Sequence, residues 1–278
     1  MIKITEITKN ITLFTGTSSV NSTLIEYENF VIVIDTMLLP KDSKELAKLI
    51  KKKNKPVKYI LNTHWHSDHC YGNRFVKDEN TTIIAHKKFL ETITSEKNVL
   101  YPGRKNIIEN SNLVFPNITF SEKLILNENP ELHFLHFPGH SPDSSIIWIP
   151  SEKIIVAGDN ILNSNSRKIA VPYFFWGNPE ELLLSLKKIK DLQPKIILPG
   201  HGMPTVLNKV DKDILYLQNI IEKYRKMATS IQSKKFLNLS ETDLIPNTKP
   251  EDFWVHKMHT MNISKMNKIY KINFSEEK

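Results

Sequence analysis

The chain holds one cysteine, Cys70, in 278 residues, so no intrachain disulfide can form and the fold must rest on packing or metal. Glycine is scarce at eight residues, and neither a Gly/Ser nor a Pro-rich linker divides the sequence. No repeat of fixed period appears. Uninterrupted apolar runs are short, Phe30 to Ile34 being typical, far below the roughly 20 residues of a bilayer-spanning helix. The opening MIKITEITKN alternates apolar with polar residues and lacks the pattern of a secretory peptide. A cytoplasmic protein without a membrane span is expected, with residues 1–278 forming one domain and a helical extension beginning near residue 211.

The formal net charge of +8 invites a nucleic-acid partner. The lysine clusters have a plainer explanation, because Lys51 to Lys53 and Lys187 to Lys190 fall at the ends of predicted helices, where cations complement the dipole. A small-molecule substrate is therefore favoured over nucleic acid, and the charge is compatible with an anionic one. Oligomeric state has no signature.

What recurs is a short β-branched or aromatic run ending in polar chemistry. FVIVI ends at Asp35, VKYIL runs into Asn62-Thr63-His64, and TTIIA ends at His86; LHFLHF leads through Pro138-Gly139 to His140, KIIVA through Gly158 to Asp159, and PKIIL through Pro199-Gly200 to His201. Each run reads as a buried strand closed by turn residues. Helical patterns lie between them: Asp42-Ser43 is expected to cap a helix carrying Leu46, Leu49 and Ile50. Asn178-Pro179 opens one with Leu182, Leu186 and Ile189, and Asp211 opens one with Leu217, Ile220, Ile221 and Tyr224. Mixed strands and helices make the class α/β or α+β. Gly72, Gly139, Gly158, Gly200 and Gly202 all lie within three residues of a potential ligand, so scarce glycine is spent where the chain carries His and Asp.

The segment Thr63-His64-Trp65-His66-Ser67-Asp68-His69 packs four metal-competent side chains into six positions. In locally extended chain His64 and His66 point to one side and can share an ion, while Trp65 points the other way. Asp68 and His69, beyond a bend, suit a second ion. With His140, Asp159 and His201 the inventory is complete: His64, His66 and His140 for one ion, Asp68, His69 and His201 for the other, and Asp159 between them. Such a donor set suits two zinc ions, with iron or manganese as alternatives.

The set THWHSDH, PGH (138–140), AGD (157–159) and PGHG (199–202), with VIVID (31–35) upstream, resembles the metallo-β-lactamase superfamily over residues from about 10 to 205. The resemblance implies a four-layer αββα sandwich of two similar halves with a dinuclear site at one edge. It also implies that Asp35 orients the His-rich loop and is not a ligand. Its chemistry would be that of a metal-dependent hydrolase, in which a metal-bound hydroxide attacks an activated carbonyl and Asp68 or metal-bound water assists the leaving group. Asp159 stands where the commonest zinc β-lactamases carry Cys, so a thioester or lactone is a better substrate than a β-lactam. Phosphodiester cleavage of RNA or DNA is disfavoured, since the short span from Asp159 to His201 has no room for the large insert of the family's nucleases. A non-haem iron redox site is the remaining enzymatic alternative, and a non-catalytic binding module fits poorly with intact ligand spacing.

Outside that set, Tyr173, Phe175 and Trp176 form an aromatic run that can wall an apolar pocket, with Phe174 among them. His86, His133 and His136 read as structural or exposed. His256 and His259, three apart on a C-terminal helix near Trp254, can share a face, with ordinary packing the preferred reading, and Arg104, Lys105, Arg167 and Lys168 are candidate anion contacts.

Overall fold

In a computed structural model, residues 1–95, 113–163, 170–228 and 253–270 are described. Two sheets form the centre. The first runs in the order β1 (Lys3–Thr8), β2 (Ile11–Thr15), β3 (Asn21–Glu26), β4 (Val31–Ile34), β5 (Val57–Leu61), β6 (Thr82–His86) and β7 (Ile118–Phe120). The second runs β12 (Ile196–His201), β11 (Ile154–Leu162), β10 (Ser145–Ile149), β9 (Leu132–His136) and β8 (Lys123–Leu126). Strands β4 to β7 are mutually parallel, as are β11 and β12; the remaining pairs are antiparallel.

The period-two alternation of strands builds the layers. In β4, Ile32 and Ile34 face the second sheet and meet Phe134, Ile147, Val156 and Leu198. Val31 and Val33 face the other way onto Leu46 and Ile50 of α1 (Pro40–Lys51). In the second sheet Ile146, Trp148, Ile155 and Ile197 turn outward onto α5 (Pro179–Asp191), α6 (Leu207–Ala228) and α7 (Phe253–Ile269). Helix on sheet on sheet on helix is the four-layer αββα sandwich. Short helices α2 (Ser67–Cys70) and α3 (Asn73–Val76) follow β5, and α4 (Lys88–Ser95) follows β6.

Several boundaries differ from the sequence pattern. α1 starts at Pro40, with Leu39 as a cap that offers no side-chain bond. Proline's fixed φ suits the first helical position, which leaves Asp42 inside the first turn, where its Oδ2 accepts from the Thr17 N–H and hydroxyl at 2.8 Å each. Asn178 caps α5 as expected, accepting from the N–H groups of Glu180 and Glu181. α6 begins at Leu207, ahead of Asp211. Strand β11 does not stop at Gly158; it continues through Asp159 to Leu162 because pairing with β12 resumes after a register shift.

Candidate metal centre

The chain crosses from β5 into α2 through Asn62 to His66, at the sheet edge where β4 and β6 also end. His64 and His66 turn inward with ring centroids 4.6 Å apart, and His140 stands 4.8 Å from each. His140 arrives on the turn after β9, made possible by Gly139: its φ of +140° is one that side chains rarely adopt, and a Cβ there would lie 2.2 Å from the Leu182 backbone. Asp159 comes from the interior of β11 and His201 from the end of β12.

These seven side chains converge. One donor atom from each of His64, His66, His140 and Asp159 lies within 4.8 Å of the others, and the same holds for Asp68, His69 and His201. Asp159 lies between the groups: its Oδ2 is 3.5 Å from His140 Nε2, 3.9 Å from His64 Nε2 and 3.6 Å from His201 Nε2, and its Oδ1 is 3.2 Å from His69 Nε2. Asp68 Oδ2 is 3.1 Å from His201 Nε2 and 3.8 Å from His69 Nε2.

Asp35 belongs to neither group. It has left-handed backbone at φ 59°, a conformation costly for a non-glycine residue. That conformation puts its carboxylate under the His-rich loop, where it accepts from Thr63 N–H at 2.8 Å and Thr63 Oγ1 at 2.7 Å and pairs with His69 Nδ1 at 2.8 Å. His69 Nε2 is thereby turned toward Asp159 and Asp68. His140 Nδ1 is held at 2.7 Å by the carbonyl of Tyr173. This partner is invisible in sequence, because any residue type supplies a carbonyl.

Electrostatics divide the seven. Burial pushes the His64, His66 and His140 imidazoles toward the neutral form, His66 down to about 3, with neighbouring imidazoles adding to the effect at His64 and His66. Burial is the largest influence on His69 and His201 too and opposes their charge, but the carboxylates together outweigh it, Asp159 and Asp68 at both and Asp35 at His69, and raise each. Asp68 and Asp159 resist burial in the same way, held below the usual carboxylate range mainly by His69 and His201.

The aromatic run sits beside this cluster. Trp176 lies edge-on to His66 at 6.3 Å and to Trp65 at 5.9 Å, Phe175 packs against Trp176 at 4.9 Å, and the Tyr173 ring is 5.8 Å from His140. These three are half-buried, whereas Phe174 points into the core. Trp65 points away from the histidines into a cluster with Tyr71, Phe89 and Ile93. Cys70 is buried and donates to the Trp65 carbonyl. Elsewhere His86 stacks on His136 at 3.7 Å, linking the two sheets, and His133 pairs with Glu131. His256 and His259 do not share a face: His256 is exposed, while His259 is buried against Tyr216. Arg104, Lys105, Arg167, Lys168 and the Trp254 side chain lie outside the described residues.

A two-sheet sandwich with clustered imidazoles and carboxylates at one edge defines a metal-dependent hydrolase architecture. The family model of the metallo-beta-lactamase superfamily matches residues 15–201, and the chain belongs to that superfamily. It is a metallo-hydrolase by that membership. The chain is 23% identical to beta-lactamase-like protein 2 homolog of Caenorhabditis elegans, over 80% of this chain and 67% of that protein. It is 28% identical to hydroxyacylglutathione hydrolase of Pelagibacter ubique, over 63% of this chain and 62% of that protein. The chain thus spans about two thirds of the length of these relatives. A solved metallo-beta-lactamase from Pontibacter korlensis superposes with a TM-score of 0.65 at 18% identity, covering 79% of this chain and all of that one, a likeness of fold. Among the described residues no helix is long and apolar enough to cross a membrane.

Proposed function

We propose that the chain is a dinuclear zinc hydrolase acting on an activated carbonyl, a thioester or lactone, as one domain in the cytoplasm. The observation that carries this reading is the pairing of two donor groups about Asp159, in which the buried Nε2 atoms of His64 and His66 make no hydrogen bond. Buried polar atoms without partners are costly and rare, and neutral imidazoles and carboxylates are the donors zinc prefers, so the residues fit the group. His64, His66 and His140 would hold one ion and Asp68, His69 and His201 the other, with Asp159 shared. When bound, such ions supply Lewis acidity and acidify water to a nucleophile at neutral pH.

The chain's own residues do the rest. Asp35 orients His69 through its 2.8 Å bond and fixes the loop through Thr63. The Tyr173 carbonyl sets the His140 tautomer by taking its Nδ1 proton as a hydrogen bond, leaving Nε2 as the donor atom. Asp68, partly exposed, is situated to carry a proton to the departing group at its carboxylate. Tyr173, Phe175 and Trp176 would wall the acyl part of the substrate and exclude water from it.

The thioester preference is supported by the hydroxyacylglutathione hydrolase relative and by aspartate, not cysteine, at position 159. Metal content per chain, in protein purified without added metal, tests the reading alongside turnover of thioesters, lactones, β-lactams and phosphodiesters. About two zinc ions with thioester or lactone turnover is the expected result. Predominantly iron with oxygen-dependent turnover overturns it.

A further inference from the structure

Helix α7 lies beyond the span matched by the family model, yet it is bonded to the immediate surroundings of His140. Asn262 is fully buried. Its Nδ2 donates to the Pro172 carbonyl at 2.7 Å and to Tyr216 Oη at 3.2 Å, and its Oδ1 accepts from the Phe174 N–H at 3.2 Å. Tyr216 Oη in turn pairs with His259 Nδ1 at 2.8 Å. Both ends of the amide are used, so the side chain has one satisfied orientation.

The Phe174 N–H and the Tyr173 carbonyl are the two edges of a single peptide unit, which is planar and trans, so fixing one edge fixes the other. Asn262 grips the N–H edge and His140 Nδ1 sits on the carbonyl edge. Its bond to Pro172 pins the preceding peptide as well. We propose that Asn262 is a positioning residue for His140, clamping the Tyr173–Phe174 peptide so that its carbonyl holds His140 Nδ1 as a donor and keeps Nε2 turned into the cluster, 3.0 Å from His66 Nδ1 and 3.5 Å from Asp159 Oδ2. The consequence for metal rests on the proposed centre; the consequence for the His140 tautomer does not.

The test uses the full chain with nitrogen-15 labelled histidine, the His140 resonances being assigned by their loss in His140→Gln. In metal-free wild type His140 is expected as the single Nδ1-protonated tautomer. Asn262→Ala is expected to mix the tautomers and to weaken zinc binding about tenfold, the lower end of what outer-shell partners of metal ligands contribute. Asn262→Leu removes the same bonds at closer volume and replaces Asn262→Ala if that variant does not fold. Asn262→Gln keeps both an acceptor for the Phe174 N–H and a donor for the Pro172 carbonyl and is expected to restore the single tautomer in part. Tyr224→Phe is the control, since the Tyr224 hydroxyl bonds Asn267 across the same helix pair without touching the loop. It should lower the melting temperature and leave His140 unchanged. An Asn262→Ala or Asn262→Leu protein with wild-type His140 resonances and zinc affinity overturns the clamp. Tautomers that move only in the Asn262 variants support it even if wild type takes up no zinc, a result that would overturn the metal centre alone.

Discussion

On one side of Asp159 stand His64, His66 and His140, three buried imidazoles with no other carboxylate among them. On the other stand His69 and His201 with Asp68, where two members are partly exposed and charges of both signs alternate. Burial prevails in the first group and keeps the rings neutral, ready to donate lone pairs. Coulombic pairing prevails in the second and keeps its imidazoles inclined to hold protons. The supports differ too: a backbone carbonyl holds His140, and the carboxylate of Asp35 holds His69. One cluster of histidines can therefore offer a rigid neutral half and a polar half open to substrate, according to how much water and acid each ring meets.

Removing the shared residue should abolish the contrast. Asp159→Ala is expected to empty both halves of metal and to lower turnover on the order of 1,000-fold, read as metal per chain beside initial rates. Full turnover by a metal-free Asp159→Ala protein would sink the mechanism. Gly200→Ala attacks the same point indirectly, because a Cβ there would lie 2.0 Å from Asp159 Oδ1. It should cost about 1–3 kcal/mol in denaturant unfolding, as overpacking does, and weaken metal uptake in both halves.

A selective change comes next. Asp35→Asn preserves shape but removes the charge paired directly with His69, so the affinity of the second half should fall about 10- to 100-fold, and by more than that of the first, which Asp35 reaches only through Thr63. Stepwise titration with zinc, followed by calorimetry, would show one step weakened more than the other; two equally weakened steps would mean that the halves are not separable. The smallest effect lies outside the site, at the stacked His86–His136 pair, where burial prevails on both rings. Burial, reinforced by His136, pushes His86 down to about 4 from an ordinary value near 6.5. A folded-state value below the unfolded one means that the unfolded chain binds protons more readily. The pair's contribution is therefore complete above pH 6.5 and lost as pH falls toward 4. Melting temperatures measured across that window should decline less steeply in His86→Phe than in wild type.

Much of the fold could be read from the chain alone. The β-branched runs marked β4, β5, β6 and β9, the Asn178-Pro179 pair marked the start of α5, and the spacing of His64, His66, Asp68 and His69 separated two donor groups. These features are local: strand period, capping chemistry and ligand order act over a few residues. The course of β11 through Asp159 was hidden because Gly158 reads as a turn until β12 lies beside it. The opposite fates of His256 and His259 were hidden for the same reason, since only Tyr216, far away in the chain, buries one of them.

Composition, order and spacing by themselves determined the mixed α/β class and the seven side chains that meet, while the layered sandwich and the superfamily followed from the resemblance of those motifs to a known family. Tertiary structure alone decided which imidazoles stay neutral, that the Tyr173 carbonyl meets His140, and that Asn262 bonds the Pro172 carbonyl 90 positions away and the Phe174 N–H beside it. Those outcomes depend on burial and on backbone atoms common to all residues, and neither is encoded at any single position.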